Sequence, residues 1–170
     1  MQENYITPTE EAQTAKKRIT AYHEAGHVVA CVIRDVPFDL VTIVGTDEYF
    51  GVCRLNLAMA RLGLNMGNQS REFRSMAYNS VIVSLSGPAA EEYLTGGYDE
   101  SGSADDFADA YVVARHYSRY PDEYTKKKFR EARKMIIANW EQVEIVANAL
   151  LEYETLDRES VLKMLGREIE

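Results

Sequence analysis

The sequence predicts a mainly α-helical fold with one small β-hairpin, an α+β architecture. Its 170 residues are enough for a single domain with a real core. Apolar residues recur at helical spacing over most of the chain, whereas β-branched residues gather between residues 40 and 55. We therefore expect one domain over residues 1–170.

The first predicted helix begins at Pro8. Thr7-Pro8-Thr9-Glu10 is typical of a capping box with proline at the first helical position. No helix breaker follows until Gly26, and Pro37 ends the segment. Ile19, His23, Gly26, His27 and Ala30 share one stripe of this helix. The histidines should therefore face the same way as the core residues.

A β-hairpin is predicted next. Residues 40–44 and 49–55 are rich in β-branched and aromatic side chains, and residues 45–48 supply turn material. Residues 56–69 carry apolar side chains without a clear period, so we expect a loop that packs against the domain.

Helices are predicted for the rest of the chain. Ser70 is expected to cap a helix that ends at Ser86, because Gly87-Pro88 should break it. Pro88 should open a short helix that ends at Gly96-Gly97. The remaining predicted helices run from Ser103 to Arg119 and over residues 122–138, 140–152 and 157–165.

The segment His23-Glu24-Ala25-Gly26-His27 carries the strongest chemical signal. Residues four apart on a helix lie on one face, about 5–6 Å apart at Cβ, so both imidazoles can reach one ion. A histidine pair with an oxygen donor suits Zn²⁺, and Glu24 can act as general base for a metal-activated water. The alternative is a solvated helix that carries these residues by chance. Histidines that face a core need partners, which favours the metal site.

Spacing alone offers several candidates for the third metal ligand. Glu48 lies in hairpin sequence, and His116 lies late in a long helix. Asp106 is the stronger candidate, because a glycine-containing loop followed by the first turn of a helix can direct its carboxylate at a facing site. Alternatively, Asp105 and Asp106 complement the helix N-terminus, with Asp106 closing a capping box on Ser103.

Composition excludes several classes of protein. A net charge of −8 and a pI near 5.0 argue against nucleic-acid binding, which needs a basic footprint. No apolar run reaches membrane-spanning length and no signal peptide opens the chain, so we expect a cytoplasmic protein without membrane contact. Cys31 and Cys53 should be reduced, with Cys31 as a small buried residue.

Several segments together resemble the FtsH family of ATP-dependent zinc proteases. The metal helix of that family resembles Ala21-Tyr22-His23-Glu24-Ala25-Gly26-His27, preceded by Arg18-Ile19-Thr20. Its hairpin resembles residues 41–43 and 51–52. Ser86-Gly87-Pro88-Ala89-Ala90-Glu91-Glu92 is similar to its Gly-Arg-Ala-Ala-Glu-Glu motif, with Pro88 in place of arginine. Residues 101–106 are similar to its Thr-Gly-Ala-Ser-Asn-Asp segment, and residues 150–157 to its C-terminal helical hairpin.

The resemblance implies a zinc peptidase. It places the zinc histidines at His23 and His27, the catalytic glutamate at Glu24 and the third ligand at Asp106, with one Zn²⁺ per chain. Asp105 stands where the family usually has asparagine, and this extra carboxylate could raise a neighbouring pKa or offer an alternative ligand. The metal-binding core would span residues 7–120, followed by a C-terminal helical hairpin region over 121–170.

Family members carry an ATPase module and a membrane anchor, and neither pattern occurs in this sequence. We therefore expect the peptidase domain standing alone, acting on polypeptide substrates, with a homo-oligomer that is hexameric by resemblance. Three alternatives stay open. The first is a non-catalytic scaffold stabilised by zinc, and the second is a peptidase subunit that depends on a separate ATPase. The third is a helical interaction domain that binds no metal.

Overall fold

The computed structural model describes residues 8–45, 52–55 and 70–168. Within these ranges the chain forms a mainly helical fold with a small antiparallel sheet, as predicted. The elements are α1 (Pro8–Arg34), β1 (Phe38–Thr42), β2 (Val52–Leu55), α2 (Arg71–Thr95), α3 (Ala104–Tyr117), α4 (Pro121–Ala138), α5 (Trp140–Tyr153), β3 (Thr155–Asp157) and α6 (Arg158–Met164). Residues 46–48 of the predicted turn, residues 49–51 of the predicted second strand and the predicted loop at 56–69 lie outside the described residues.

Helix α1 lies at the centre of the fold, between α2 and α5. Ala21, Ala25 and Val28 of this helix are completely buried in a core to which every described helix contributes. Gly26 allows the backbone of α1 to touch that of α2, because a Cβ at this position would overlap the carbonyl oxygen of Ser86. The two helices therefore meet where the histidine motif lies. None of the described helices is long and apolar enough to cross a membrane.

The predicted break in α2 is wrong. The helix runs without interruption from Arg71 to Thr95, with Pro88 in its interior. Gly87 and Pro88 are both buried against neighbouring elements. Proline removes one backbone hydrogen bond from a helix, and here burial of the flanking apolar residues outweighs that loss. The two predicted ends hold, since Ser70 accepts a hydrogen bond from the Phe73 N–H and Gly96 closes the helix with φ of 86°.

The sheet has one strand more than predicted. Strands β1 and β2 pair antiparallel, which confirms the two arms of the hairpin, and β3 adds to the other side of β1. Among the described residues, the order β2-β1-β3 leaves β2 at one edge of the sheet. Strand β3 has only three residues, and its Asp157 also caps α6 by accepting from the Ser160 N–H. Asp157, predicted as the first residue of the last helix, therefore also belongs to a strand.

Candidate metal centre

Helix α1 and the first turn of α3 bring three predicted residues together. The Nε2 atom of His23 lies 3.1 Å from Oδ2 of Asp106, and Nε2 of His27 lies 3.3 Å from Oδ1 of the same carboxylate. One potential ligand atom from each residue lies within 4.8 Å of the others. The two imidazole centroids are 4.9 Å apart, as expected for residues one helical turn apart.

Asp106 does not form the alternative capping box. Ser103, at the N-terminus of α3, makes no side-chain capping hydrogen bond, and within the described residues its buried hydroxyl has no partner. The Asp106 carboxylate instead contacts both imidazoles, and the exposed Asp105 is not part of this cluster. His116 is also exposed, whereas Glu48 lies outside the described residues.

The space in front of the two histidines fits a small cation. A Cβ at Gly87 would lie 2.5 Å from Nε2 of His23 and would overlap Nε2 of His27. Zinc bonds to imidazole nitrogen measure about 2.0–2.1 Å, so an ion at the position that this glycine leaves open would lie near bonding distance of both Nε2 atoms. Two imidazole nitrogens and a carboxylate oxygen are also donors that zinc accepts.

Hydrogen bonds orient both imidazole rings. Nδ1 of His27 lies 2.8 Å from the carbonyl oxygen of Val83, and Nδ1 of His23 lies 3.2 Å from Oε2 of Glu91. Because a carbonyl only accepts, Nδ1 of His27 carries a proton, and Nε2 is the ring nitrogen that faces Asp106. Metal-binding histidines commonly show this outer contact, which fixes the ring and its tautomer.

Glu91 also connects this site to the loop that leads to Asp106. Its Oε1 accepts the backbone N–H of Asp99 at 2.8 Å, while Oε2 faces His23. Glu91 is buried, with 7 % of the residue exposed. In sequence it stands only within the motif at residues 86–92, where the adjacent Glu92 leaves no local pattern that singles out Glu91.

The cluster favours positive charge. Burial disfavours the imidazolium of His23, but hydrogen bonds to Asp106 and Glu91 prevail and raise the pKa of His23 to about 10. Burial likewise opposes protonation of His27, yet the charge of Asp106 and its hydrogen bond raise that pKa to about 9. Burial would raise the pKa of Asp106, but His27 and His23 hold it well below its usual range. A cation bound between these groups would take the place of the protons.

Glu24 lies beside the cluster and is 5 % exposed. Burial raises the pKa of Glu24, and the histidines and a hydrogen bond from the backbone of Cys53 partly oppose the shift. Its Oε2 atom has no hydrogen-bond partner among the described residues. A buried carboxylate oxygen without a partner can accept a proton from a water or substrate molecule in the site.

Several known proteins similar to this chain are named as ATP-dependent zinc metalloproteases. An ATP-dependent zinc metalloprotease FtsH from Chlamydia trachomatis serovar L2 is 24% identical over a 199-residue alignment. The alignment covers 91% of this chain and 21% of that protein. FtsH 4 from Sorangium cellulosum is 29% identical, covering 89% of this chain and 29% of its own length. The zinc metalloprotease YME1L1 from Rattus norvegicus is 24% identical, with 94% and 26% covered.

The chain thus spans between a fifth and a third of the length of these relatives. No family model matches it. At this level of identity, the similarity along nearly the whole chain supports a distant relationship to the FtsH zinc metalloproteases.

Proposed function

We propose that residues 1–170 form a single zinc metallopeptidase domain that hydrolyses peptide bonds in unfolded or peptide substrates. The observation that carries the proposal is the convergence of His23, His27 and Asp106 on the space beside Gly87, with the carboxylate of Glu24 next to them. The names of the distant relatives point to the same chemistry.

In this proposal His23, His27 and Asp106 hold one Zn²⁺. The ion would lower the pKa of water toward about 7 and polarise the peptide carbonyl. Glu24 accepts the proton as water attacks and then donates it to the leaving amine nitrogen. Val83 and Glu91 keep the Nε2 atoms of the two rings turned towards Asp106.

The edge strand β2 supplies the place for an extended substrate. It lies next to the site, because the backbone of Cys53 contacts Glu24, and it pairs with β1 on one side. A polypeptide in an extended conformation can add to such an edge through main-chain hydrogen bonds. This mode of binding accounts for a preference for unfolded chains, whose backbone is accessible.

The test compares the wild-type chain with Glu24→Gln. We expect both proteins to bind one zinc per chain by elemental analysis, because Glu24 is not one of the proposed ligands. Casein and peptide hydrolysis should fall at least about 10²–10⁴-fold in the variant, the usual contribution of a general base. Circular dichroism serves as the folding control.

Three outcomes contradict the proposal in different ways. Full activity of Glu24→Gln would exclude Glu24 as the base. Bound zinc without hydrolysis in the wild-type chain would favour the non-catalytic scaffold, and absence of stoichiometric zinc would remove the metal site itself.

A further inference from the structure

The segment between α2 and α3, residues 96–103, determines where the first turn of α3 lies. Most of its residues are exposed, so packing against the core does not fix its path. Ser103, whose hydroxyl is buried, makes no side-chain capping hydrogen bond to α3. Asp106 nevertheless reaches both histidines from that first turn. Other hydrogen bonds must therefore hold the segment in one conformation and offset the entropy lost in ordering it.

Asp99 makes three hydrogen bonds that fix this segment. Its Oδ1 accepts the Ser101 N–H at 3.0 Å, which closes an Asx turn, and its carbonyl oxygen accepts the Ser103 N–H at 2.9 Å. Its own N–H donates to Oε1 of the buried Glu91 at 2.8 Å. Ser103 in turn accepts the Phe107 N–H at 3.2 Å, within the first turn of α3. One residue thus connects the start of α3 to a buried carboxylate on α2.

These contacts complete a ring of hydrogen bonds between two proposed ligands. Oε2 of Glu91 lies 3.2 Å from Nδ1 of His23, and Nε2 of the same imidazole lies 3.1 Å from Oδ2 of Asp106. The path runs from His23 through Glu91 to Asp99. It continues along the segment to α3 and returns to the same imidazole through Asp106. The turn at Asp99 is therefore the part of the ring that sets the position of the third ligand.

We propose that Asp99 is a positioning residue, whose side chain holds Asp106 against the two histidines. It acts through the turn at the start of α3 rather than by contact with the ion. The Asx turn needs an accepting oxygen at position 99 but no charge, so asparagine can form it and alanine cannot. Because Asp99 is exposed, its replacement should leave the core intact.

The experiment compares the wild-type chain with Asp99→Ala and Asp99→Asn. Competition with a chromophoric chelator measures zinc affinity, and the visible spectrum of bound Co²⁺ reports the geometry of its ligands. We expect Asp99→Ala to bind zinc about tenfold more weakly, the lower end of the usual effect of losing an outer contact, and to change the cobalt spectrum. Asp99→Asn should restore both to wild-type values. Circular dichroism of the metal-free variants serves as the folding control.

Glu100→Ala is the matched control for charge. Glu100 is exposed and next to Asp99, and among the described residues its side chain makes no hydrogen bond or ion pair. Its replacement removes one carboxylate from the same segment and should leave zinc affinity and the cobalt spectrum unchanged. Wild-type zinc affinity in Asp99→Ala would overturn the proposal. Equal losses in Asp99→Ala and Asp99→Asn, or in Asp99→Ala and Glu100→Ala, would also overturn it, because charge would then account for the effect.

The effect on metal binding rests on the proposed function, so a metal-free measurement accompanies it. Crystal structures without added metal should show the Asp106 carboxylate within hydrogen-bond distance of His23 in the wild-type chain and in Asp99→Asn. In Asp99→Ala the carboxylate should be displaced from both imidazoles, and an unmoved Asp106 would overturn the proposal. If the wild-type chain binds neither Zn²⁺ nor Co²⁺, the proposed function fails, while these structures still decide the role of Asp99.

Discussion

At the scale of single residues, the candidate centre depends on glycine at position 87, which has no side chain. Gly87 brings the backbone of α2 against both Nε2 atoms, and any Cβ there would occupy the volume in front of them. Glycine inside a helix costs about 0.5–1 kcal/mol relative to alanine. At position 87 that loss leaves room for a ligand between His23, His27 and Asp106.

Gly87→Ala should therefore abolish stoichiometric zinc binding while the chain stays helical. The new methyl group would overlap the imidazoles, so the rings must turn away from Asp106. Zinc content by elemental analysis and far-UV circular dichroism measure the two effects. Gly97→Ala is the matched control, because a Cβ there meets no atom within 4 Å. Full zinc content in Gly87→Ala would show that the metal does not lie against α2.

Glu91→Gln should lower zinc affinity about 10–100-fold, the usual effect of losing an outer contact to a ligand. The carboxylate accepts from His23 and from the Asp99 N–H at once, whereas an amide has one accepting oxygen. Competition with a chromophoric chelator measures the affinity.

The neighbouring Glu92→Gln is the control for this experiment. Glu92 contacts Arg133 on α4, away from the histidines, and its replacement should leave zinc affinity unchanged. Equal affinities for the two variants would argue that Glu91 does not orient His23.

At the scale of elements, the C-terminal ends of α1 and α2 show how a left-handed residue and a backbone hydrogen bond end a helix. Helix α1 ends with Asp35 at φ 53°, and the Val36 N–H bonds the Cys31 carbonyl at 2.9 Å in a Schellman-type closure. Helix α2 also ends at a left-handed residue, Gly96, whose N–H bonds the Glu92 carbonyl. The buried Val36 then leads directly into β1.

Asp35→Gly should stabilise the fold by about 0.5–1 kcal/mol. Left-handed backbone costs an L-residue about 1–2 kcal/mol, and the larger unfolded-state entropy of glycine offsets about 0.4–1 kcal/mol of the gain. Urea denaturation measures the free energy of unfolding. Asp35→Ala retains the unfavourable φ and should be no more stable than wild type. A glycine variant less stable than wild type would refute the argument.

At the scale of the whole molecule, the metal centre joins distant parts of the chain. His23 on α1 and Asp106 on α3 are 83 residues apart, and Glu91 on α2 contacts both His23 and the loop before α3. An ion that binds only the folded arrangement of these elements stabilises the entire domain.

Zinc should consequently raise the melting temperature, and a chelator should reverse the effect. At a free concentration of about 100 times Kd the stabilisation is about 2.7 kcal/mol. Differential scanning calorimetry of Asp106→Asn should show a much smaller zinc-dependent shift. Asp105→Asn is the control. Because Asp105 is exposed and is not a proposed ligand, this variant should keep the full zinc-dependent shift in melting temperature. Equal shifts in both variants would exclude Asp106 as a ligand.

We also propose that hydrolysis of folded proteins needs an ATPase, because the similar proteins are named ATP-dependent. The chain alone should cleave casein and peptides but leave a stably folded substrate intact, as gel assays can show. Light scattering tests the proposed homo-oligomer, for which the resemblance implies a hexamer. Degradation of the folded substrate without ATP or partner would contradict the dependence.

The sequence by itself determined what depends on local spacing. The period of apolar residues predicted the helices, the cap at Ser70 marked one helix start, and the spacing of His23 and His27 placed two imidazoles on one face of α1. Such features involve neighbours within a turn or two, so short-range physics suffices.

Only the tertiary structure decided the rest. It kept α2 continuous through Pro88, added β3, turned Asp106 towards the histidines and brought Gly87 and Glu91 against them. Each of these outcomes depends on burial and contacts between elements far apart in the chain. Their free energies outweigh local preferences for a helix break or a cap, and no local pattern records them.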